Sequence, residues 1–104
     1  MKRHFLIKLI PPRLSFALDM NEEEKRLMQE HVIYWTSLAQ KGVAILFGPV
    51  IDPNGSYGIG VVEVENEGDV NVLTANDPVT KSGRQFKHEA YVMPQLVLRE
   101  QVRS

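Results

Sequence analysis

Two side chains of this sequence could form a buried pair for proton transfer. His31 lies on the apolar stripe of the one long helical pattern, together with Leu27 and Trp35, so its ring should face inward. Asp77 precedes Pro78, which disfavours the α conformation before it and should end a second, shorter helix at Asp77. A carboxylate that bonds one imidazole nitrogen fixes the tautomer and raises the basicity of the other nitrogen. If the fold joins the two groups, His31 can act as a general base near neutral pH.

A structural role is the alternative for the same pair, with the His–Asp bond pinning two helices together. In two antiparallel helices, His31 would lie roughly 14 Å from the start of the first, and the second would rise roughly 15 Å to bring Asp77 to its level. The negative end of that second helix would destabilise an ionised Asp77, so a positive partner there would be useful. The pattern leaves both interpretations open.

Five further residues are candidates for binding a substrate. Arg13, Ser15 and Phe16 precede the long helix in a loop that should lie near the candidate pair. Arg13 suits a carboxylate, phenolate or phosphate, or is an ordinary surface arginine. Tyr34 lies one turn after the candidate histidine and can present its hydroxyl to the same cavity, although its position also suits the core. Pro49 ends a predicted strand beside a glycine that lets the backbone approach a ligand.

Other chemistries lack the residues that they need. The 104-residue sequence has no cysteine, which removes disulfides, thiolate nucleophiles and zinc–cysteine sites. His4 and His88 have no metal-ligand spacing, residues 58–60 lack the third glycine of a nucleotide fingerprint, and no serine lies in a nucleophile elbow. The formal net charge of −1 gives no reason to expect nucleic acid or an anionic membrane. We therefore predict a protein without cofactor or metal.

The order of hydrophobic patterns predicts an α+β protein of the ferredoxin-like type. Asn21 with Glu24 resembles a capping box at the start of the long helix, and Gly42 ends that helix. Alternating and helical spacings predict, in order, a strand at 3–10, a helix at 22–41, strands at 43–50 and 57–65, a helix at 67–76 and a strand at 84–93. This β-α-β-β-α-β order corresponds to a four-stranded antiparallel sheet with both helices on one face.

One sheet face is more apolar than a monomer needs. The face away from the helices should be polar if water covers it, but both faces carry large apolar groups. Leu6 and Ile10 alternate with Phe5, Ile7 and Leu9, and Leu46 alternates with Ile45 and Phe47. We therefore predict a homodimer through this open face. A monomer with a ligand lying on the sheet is the competing prediction.

Chain length and targeting patterns complete the outline. Residues 1–104 should form one domain, with a core at 3–94 and a tail at 95–104. No apolar run is long enough for a membrane helix, and the N-terminal run, interrupted by Lys8, does not resemble a signal peptide. We therefore expect a cytoplasmic protein.

The order and spacing of these pieces resemble the YCII-related domain family over roughly residues 3–94. The matching pieces are Pro12-Arg13, Glu23-Glu24, Glu30-His31-Val32-Ile33-Tyr34-Trp35, Gly42, Gly48-Pro49, Asp52-Pro53-Asn54-Gly55, Gly58 and Asp77-Pro78. The resemblance implies a dimeric α+β barrel, with His31 and Asp77 at the family's proposed active-site pair. Most members have no assigned reaction, and one branch is similar to enzymes that remove chloride from a chlorinated hydroxyquinol. The loop at 11–21 and the tail after Pro94 are longer than the family pattern and could remodel the cleft, so no substrate is carried over.

Three functions follow from these observations. The first is a small cofactor-independent enzyme that uses His31 and Asp77 for proton transfer, in an elimination or isomerisation of a small aromatic or carbonyl compound. The second is a non-catalytic homodimer that binds a small ligand or a partner and holds a structural His–Asp pair. The third is a monooxygenase-like protein that oxidises its substrate without a metal.

Overall fold

Four strands form one antiparallel sheet in the order β2-β3-β1-β4. The computed structural model describes residues 2–99. The elements are β1 (Arg3–Ile10), α1 (Phe16–Asp19), α2 (Glu22–Gln40), β2 (Ala44–Val50), β3 (Tyr57–Val64), α3 (Glu67–Ala75), α4 (Pro78–Lys81) and β4 (Lys87–Met93). This arrangement confirms the predicted α+β fold with its four-stranded antiparallel sheet.

The side chains of β1 alternate between the two faces of the sheet, as expected for a strand with one buried face. Phe5, Ile7 and Leu9 are buried in the core beneath the helices. Ile7 lies opposite Gly60 of β3, and a Cβ atom at Gly60 would lie 2.5 Å from the Trp35 ring. Because this position has no side chain, the indole of α2 can lie directly against the sheet.

The start of α2 is fixed by the predicted capping box. The Asn21 side chain accepts a hydrogen bond from the Glu24 backbone N–H, and the Glu24 carboxylate accepts one from the Asn21 N–H. The helix ends at Gln40, and Gly42 follows with a φ of +79°, a conformation that favours glycine. These two local signals define the element that carries His31.

Two short helices were not predicted, and one of them changes the position of Asp77. The prediction that Asp77 ends the second helix is wrong, since α3 ends at Ala75 and Asp77 is the N-cap of α4. Pro78 begins this new helix, because its fixed φ and missing N–H suit a first helical position. The Asp77 side chain accepts a hydrogen bond from the Val79 N–H at 3.2 Å. The argument that a negative helix end destabilises Asp77 is therefore wrong as well.

The other differences concern the ends of elements. Helix α1 lies inside the segment predicted as a loop at 11–21, and β4 begins at Lys87 rather than at residue 84. In the predicted tail, Val97 is 92% exposed, while residues 100–104 lie outside the described part of the chain. No helix between residues 2 and 99 is long and apolar enough to cross a membrane.

The open face of the sheet carries both apolar and charged side chains. Leu46 and Tyr91 are 46% and 51% exposed. His4 of β1 and Glu63 of β3 lie directly opposite one another, and their side chains approach to 2.9 Å. The homodimer through this face stays a prediction.

Candidate functional site

A buried carboxylate joins the elements around the site. Asp77 is 0% exposed, and both of its carboxylate oxygens lie 2.9 Å from Nδ1 of His31. Trp35, one turn further along α2, donates its indole N–H to Oδ2 at 2.9 Å. With the Val79 N–H on Oδ1, the carboxylate has donors from α2 and from the start of α4. Asp77 thus connects the two helices and fixes the orientation of the imidazole.

The environment keeps Asp77 ionised despite its burial. Removal from water opposes the charge, but the hydrogen bond from His31, the nearby His88 ring and the indole N–H of Trp35 together hold the Asp77 pKa below its ordinary value. An anionic Asp77 accepts hydrogen bonds only, so Nδ1 of His31 must carry the proton that they share. The other ring nitrogen of a neutral His31 then has a free lone pair.

A cavity of about 270 Å³ lies between the helices and the sheet, and His31 is one of the residues that line it. The Nδ1 atom of His31 is turned toward the buried carboxylate. Between residues 2 and 99, no hydrogen bond connects Nε2 with another protein group. An imidazole whose Nδ1 is held by a carboxylate and whose residue lines a cavity has an arrangement suited to general acid–base catalysis.

The walls of the cavity are almost entirely apolar. The lining residues are Ile7, Leu9, Pro11, Phe16, Ala17, Met20, Met28, His31, Val32, Trp35, Phe47, Gly48, Pro49, Ser56, Tyr57, Gly58, Ile59, Gly60, Phe86 and His88. Within the described residues, no aspartate, glutamate, lysine or arginine lines it. Residues 2–99 also contain no group of three or more His, Asp or Glu side chains that could hold a metal ion. The cavity therefore suits a small, largely apolar molecule.

Two of the predicted binding residues lie in the cavity wall. Phe16 of α1 is buried, and its ring contacts Phe86 edge to face with 5.3 Å between the centroids. Pro49 lines the cavity from β2. Phe16 of α1 and Phe86, the residue before β4, thus form an aromatic pair in the cavity wall.

Arg13 and Ser15 do not line the cavity, and both bond neighbouring carboxylates. The Arg13 guanidinium donates to both oxygens of Glu24, at 2.7 and 2.8 Å, and to Asp19 at 2.8 Å. Ser15 donates its hydroxyl to Asp19 at 2.6 Å. The hydrogen bonds from Arg13 lower the pKa of Glu24 to about 2. Arg13 thus ties the α1 segment to the start of α2, and the substrate contacts predicted for Arg13 and Ser15 stay predictions.

Tyr34 is also turned away from the cavity. Its hydroxyl donates to the Leu73 carbonyl of α3 at 2.6 Å. Burial and the negative charge of Asp77 raise the pKa of Tyr34. In this structure Tyr34 connects two helices, and its binding role stays a prediction.

Two residues of this site have no predicted role in it. The sequence indicates His88 only as a histidine without metal-ligand spacing and Trp35 only as a core residue. In the structure His88 lies opposite Leu9 on the helix side of the sheet, and its ring lines the cavity. The alternation within β4 separates the residues of its two faces, but which face points inward depends on pairing with β1. For Trp35, the available signal is the residue type itself, because the N–H of a buried indole needs a hydrogen-bond acceptor.

Comparisons with known proteins agree with this architecture. No curated protein matches the sequence. A 5-chloro-2-hydroxyhydroquinone dehydrochlorinase from Burkholderia phenoliruptrix, solved in complex with 2,5-dihydroxybenzoquinone, has a similar structure with a TM-score of 0.61. The similarity covers 83% of this chain and 90% of the dehydrochlorinase chain at 21% sequence identity, and it concerns the fold. The model of the YCII-related domain matches residues 1–93, and this chain belongs to that family.

Proposed function

We propose that this protein is a cofactor-independent enzyme that eliminates a small leaving group from a hydroxylated aromatic ring by proton transfer. His31 is the general base and acid, and Asp77 orients it. The observation that carries the proposal is the position of His31, with Nδ1 held at 2.9 Å by a buried carboxylate and the residue lining an apolar cavity. Such a base requires only a bound substrate with an acidic proton.

One imidazole is sufficient for the proton movements of such an elimination. Nε2 of His31 takes the proton of a ring hydroxyl and returns it to the ring carbon that carries chlorine, which gives a keto form with a C–H bond at that carbon. Nε2 then takes the proton of a second hydroxyl while the C–Cl bond breaks and chloride leaves with the bonding pair. The substrate has lost one proton and one chloride, so that a quinone forms without an external oxidant.

The substrate class is supported by the cavity and by the structural neighbour. The neighbouring enzyme is named for a chlorinated hydroxyhydroquinone and was solved with a dihydroxybenzoquinone. A single aromatic ring fits a space of about 270 Å³ with apolar walls. Trp35 and the edge-to-face pair of Phe16 and Phe86 offer ring surfaces for stacking. We therefore propose chlorinated hydroquinols as the first substrates to test.

Chloride release tests the proposal directly. With 5-chloro-2-hydroxyhydroquinone, we expect the protein to release chloride and form a quinone, both followed against a reaction without protein. His31→Ala should lower turnover by about 10²–10⁴-fold, the usual contribution of a general base. His4→Ala is the matched control, since His4 also bonds a carboxylate but on the opposite face of the sheet, and it should retain full turnover. Equal turnover of the His31 variant and the wild type would exclude the proposed base.

A structural role for the pair is the second candidate, and the complete burial of Asp77 favours it. In that case the protein binds a small ligand without converting it. His31→Asn should then lower the melting temperature and leave the binding of 2,5-dihydroxybenzoquinone unchanged, measured by quenching of the fluorescence of Trp35. Loss of chloride release with intact folding would instead support catalysis.

We also propose that two copies of the chain associate through the open sheet face. Leu6, Ile10 and Leu46 lie on this face, and apolar groups at such a position favour a protein cover. Sedimentation should give the mass of a dimer for the wild type and of a monomer for Leu46→Glu. Leu18→Glu is the control, because Leu18 is exposed on α1, and it should leave the mass unchanged. A monomeric wild type would contradict the association.

A further inference from the structure

A second imidazole stands beside the candidate base without a hydrogen-bond partner at one of its nitrogens. His88 lies in β4 opposite Leu9, and it forms part of the cavity wall. Its Nε2 atom is buried and makes no hydrogen bond among the described residues. A buried polar atom without a partner costs about 1–3 kcal/mol, so its position needs an explanation.

The group that faces this nitrogen is the carboxylate of Asp77. Nε2 of His88 lies 3.7 Å from Oδ2 of Asp77, and in residues 2–99 no other carboxylate lies within 4.0 Å of it. The distance is too long for a hydrogen bond but close enough for a strong electrostatic interaction. A lone pair directed at an anion is repelled, so the proton of a neutral His88 must be on Nε2. Nδ1 lies 3.4 Å from the Thr80 hydroxyl, which can donate a hydrogen bond to the lone pair of that tautomer.

The oxygen that His88 faces, Oδ2 of Asp77, is one of the two oxygens that contact Nδ1 of His31. Nδ1 of His31 lies 2.9 Å from both carboxylate oxygens, so its proton is shared between them. Oδ2 also accepts from Trp35, whereas the second donor to Oδ1 is the Val79 N–H at 3.2 Å. If His88 moves a few tenths of an ångström closer, Oδ2 has two other donors, and the His31 proton is directed toward Oδ1. Bonds of this kind are often long in an empty site and shorten when substrate binds.

We propose that His88 is a positioning residue, which acts through Oδ2 of Asp77 and directs the Nδ1 proton of His31 toward Oδ1. The proposal rests on the proposed function in assigning the base to His31. His88 does not itself exchange a proton with substrate through Nε2, because that atom is buried against Asp77. His88 changes the angle of the His31 ring and therefore the orientation of Nε2 relative to a bound substrate.

The single tryptophan of the chain gives a test that needs no substrate. Trp35 is the only tryptophan, so its indole N–H gives one resonance in a ¹H–¹⁵N spectrum and reports on the oxygen that His88 approaches. In His88→Leu, Oδ2 loses the electrostatic attraction of the imidazole that faces it at 3.7 Å, and the bond from Trp35 should strengthen and move the indole proton downfield. His88→Gln supplies an N–H at similar reach and should return the resonance toward its wild-type position.

Three comparisons decide the spectral test. His4→Leu is the matched control, since it removes a histidine on the other sheet face and should leave the indole resonance in place. If His88→Leu leaves the resonance in place, or if His88→Gln shifts it as far as His88→Leu does, His88 only fills space and the proposal is overturned. His88→Met replaces the leucine variant if that variant does not fold, with the same expected shift.

Kinetics separate a positioning role from a binding role. With 5-chloro-2-hydroxyhydroquinone, His88→Leu should lower kcat by about 10–100-fold, as is usual for a residue that orients a catalytic group, and leave KM unchanged. His88→Gln should recover part of kcat. An increase of KM at constant kcat would overturn the proposal. If the wild-type protein releases no chloride, the proposed function fails, and the indole resonance still decides whether His88 acts on Asp77.

Discussion

Two histidines of this protein contact a carboxylate at the same distance of 2.9 Å, but in different surroundings. His4 and Glu63 lie on the open sheet face, with side chains that are 24% and 38% exposed. His31 and Asp77 lie beneath the helices, where the Asp77 side chain is 0% exposed. In the single chain the first pair is partly exposed, whereas the second is enclosed by protein and bordered by a cavity.

The comparison shows that burial, and not the contact itself, determines what a His–carboxylate pair can do. Where Glu63 is exposed in the single chain, water can compete for its hydrogen bonds, and exposed pairs contribute little to stability. Around Asp77, the carboxylate depends on its protein donors, and each donor is in turn fixed by it. Only the buried pair can hold an imidazole in one tautomer and one orientation. This difference is why we assign chemistry to His31 and none to His4.

Removal of the two carboxylates, one at a time, should give the largest difference in stability between the two pairs. Asp77→Ala leaves the donors of His31, Trp35 and Val79 without an acceptor, and we expect the free energy of unfolding to fall by about 3–5 kcal/mol. Glu63→Ala should lower it by less than about 1 kcal/mol. Urea denaturation of both variants, followed by circular dichroism, measures the two values. Equal losses would show that burial has not made the Asp77 network more important.

The indole of Trp35 is the next test, since the open-face pair has no equivalent donor among the described residues. Trp35→Phe removes a hydrogen bond to a charged acceptor, and we expect a loss of about 1.5–3 kcal/mol in the free energy of unfolding. Tyr34→Phe is the matched control on the same helix, because its hydroxyl bonds the neutral Leu73 carbonyl, and it should cost about 0.5–1.5 kcal/mol. A larger loss in Tyr34→Phe than in Trp35→Phe would contradict the claim that the hydrogen bond to Asp77 contributes more than the one to a neutral carbonyl.

Acid should distinguish Asp77 from carboxylates with ordinary behaviour. Since the fold lowers the pKa of Asp77, the unfolded chain binds this proton first as the pH falls, and stability present above the ordinary carboxyl range is lost below it. Below about pH 4, the unfolding free energy of the wild type should therefore fall more steeply than that of Asp77→Asn, by up to ~1.4 kcal/mol per pH unit. The contribution of Glu24 is common to both proteins and cancels. Parallel curves, from urea titrations between pH 6 and pH 2.5, would be inconsistent with an Asp77 that the fold keeps ionised.

The fold could be predicted from the sequence because its signals are local. Alternation in β1, the capping box at Asn21 and the glycine at residue 42 each depend on a few neighbouring residues. The same locality explains the errors. Pro78 stops one helix and starts another, and only the position of the flanking chain decides which role a proline has.

The site was predictable only in part, because it depends on contacts between distant strands. The helical stripe predicts that His31 faces inward, and the proline after Asp77 marks a break in the chain. His88 could not be assigned in the same way, since either face of β4 could be the inner one until its register with β1 is known. Arg13 illustrates the opposite case. Its residue type suggests an anion site, but Glu24 and Asp19 already occupy its guanidinium.

The smallest expected effect is that of salt on the coupling energies of the two His–carboxylate pairs. Exposed charges are screened strongly at 1 M salt, where the Debye length is about 3 Å, and buried pairs much less. At one fixed pH, a double-mutant cycle for His4 and Glu63 should give a coupling of about 0.2–1 kcal/mol in low salt that approaches zero in 1 M NaCl. The coupling between His31 and Asp77 should keep most of its value, because no water reaches the carboxylate. If both couplings fall by the same fraction, solvent reaches Asp77 in solution, and the imidazole that it orients is less firmly held than the geometry indicates.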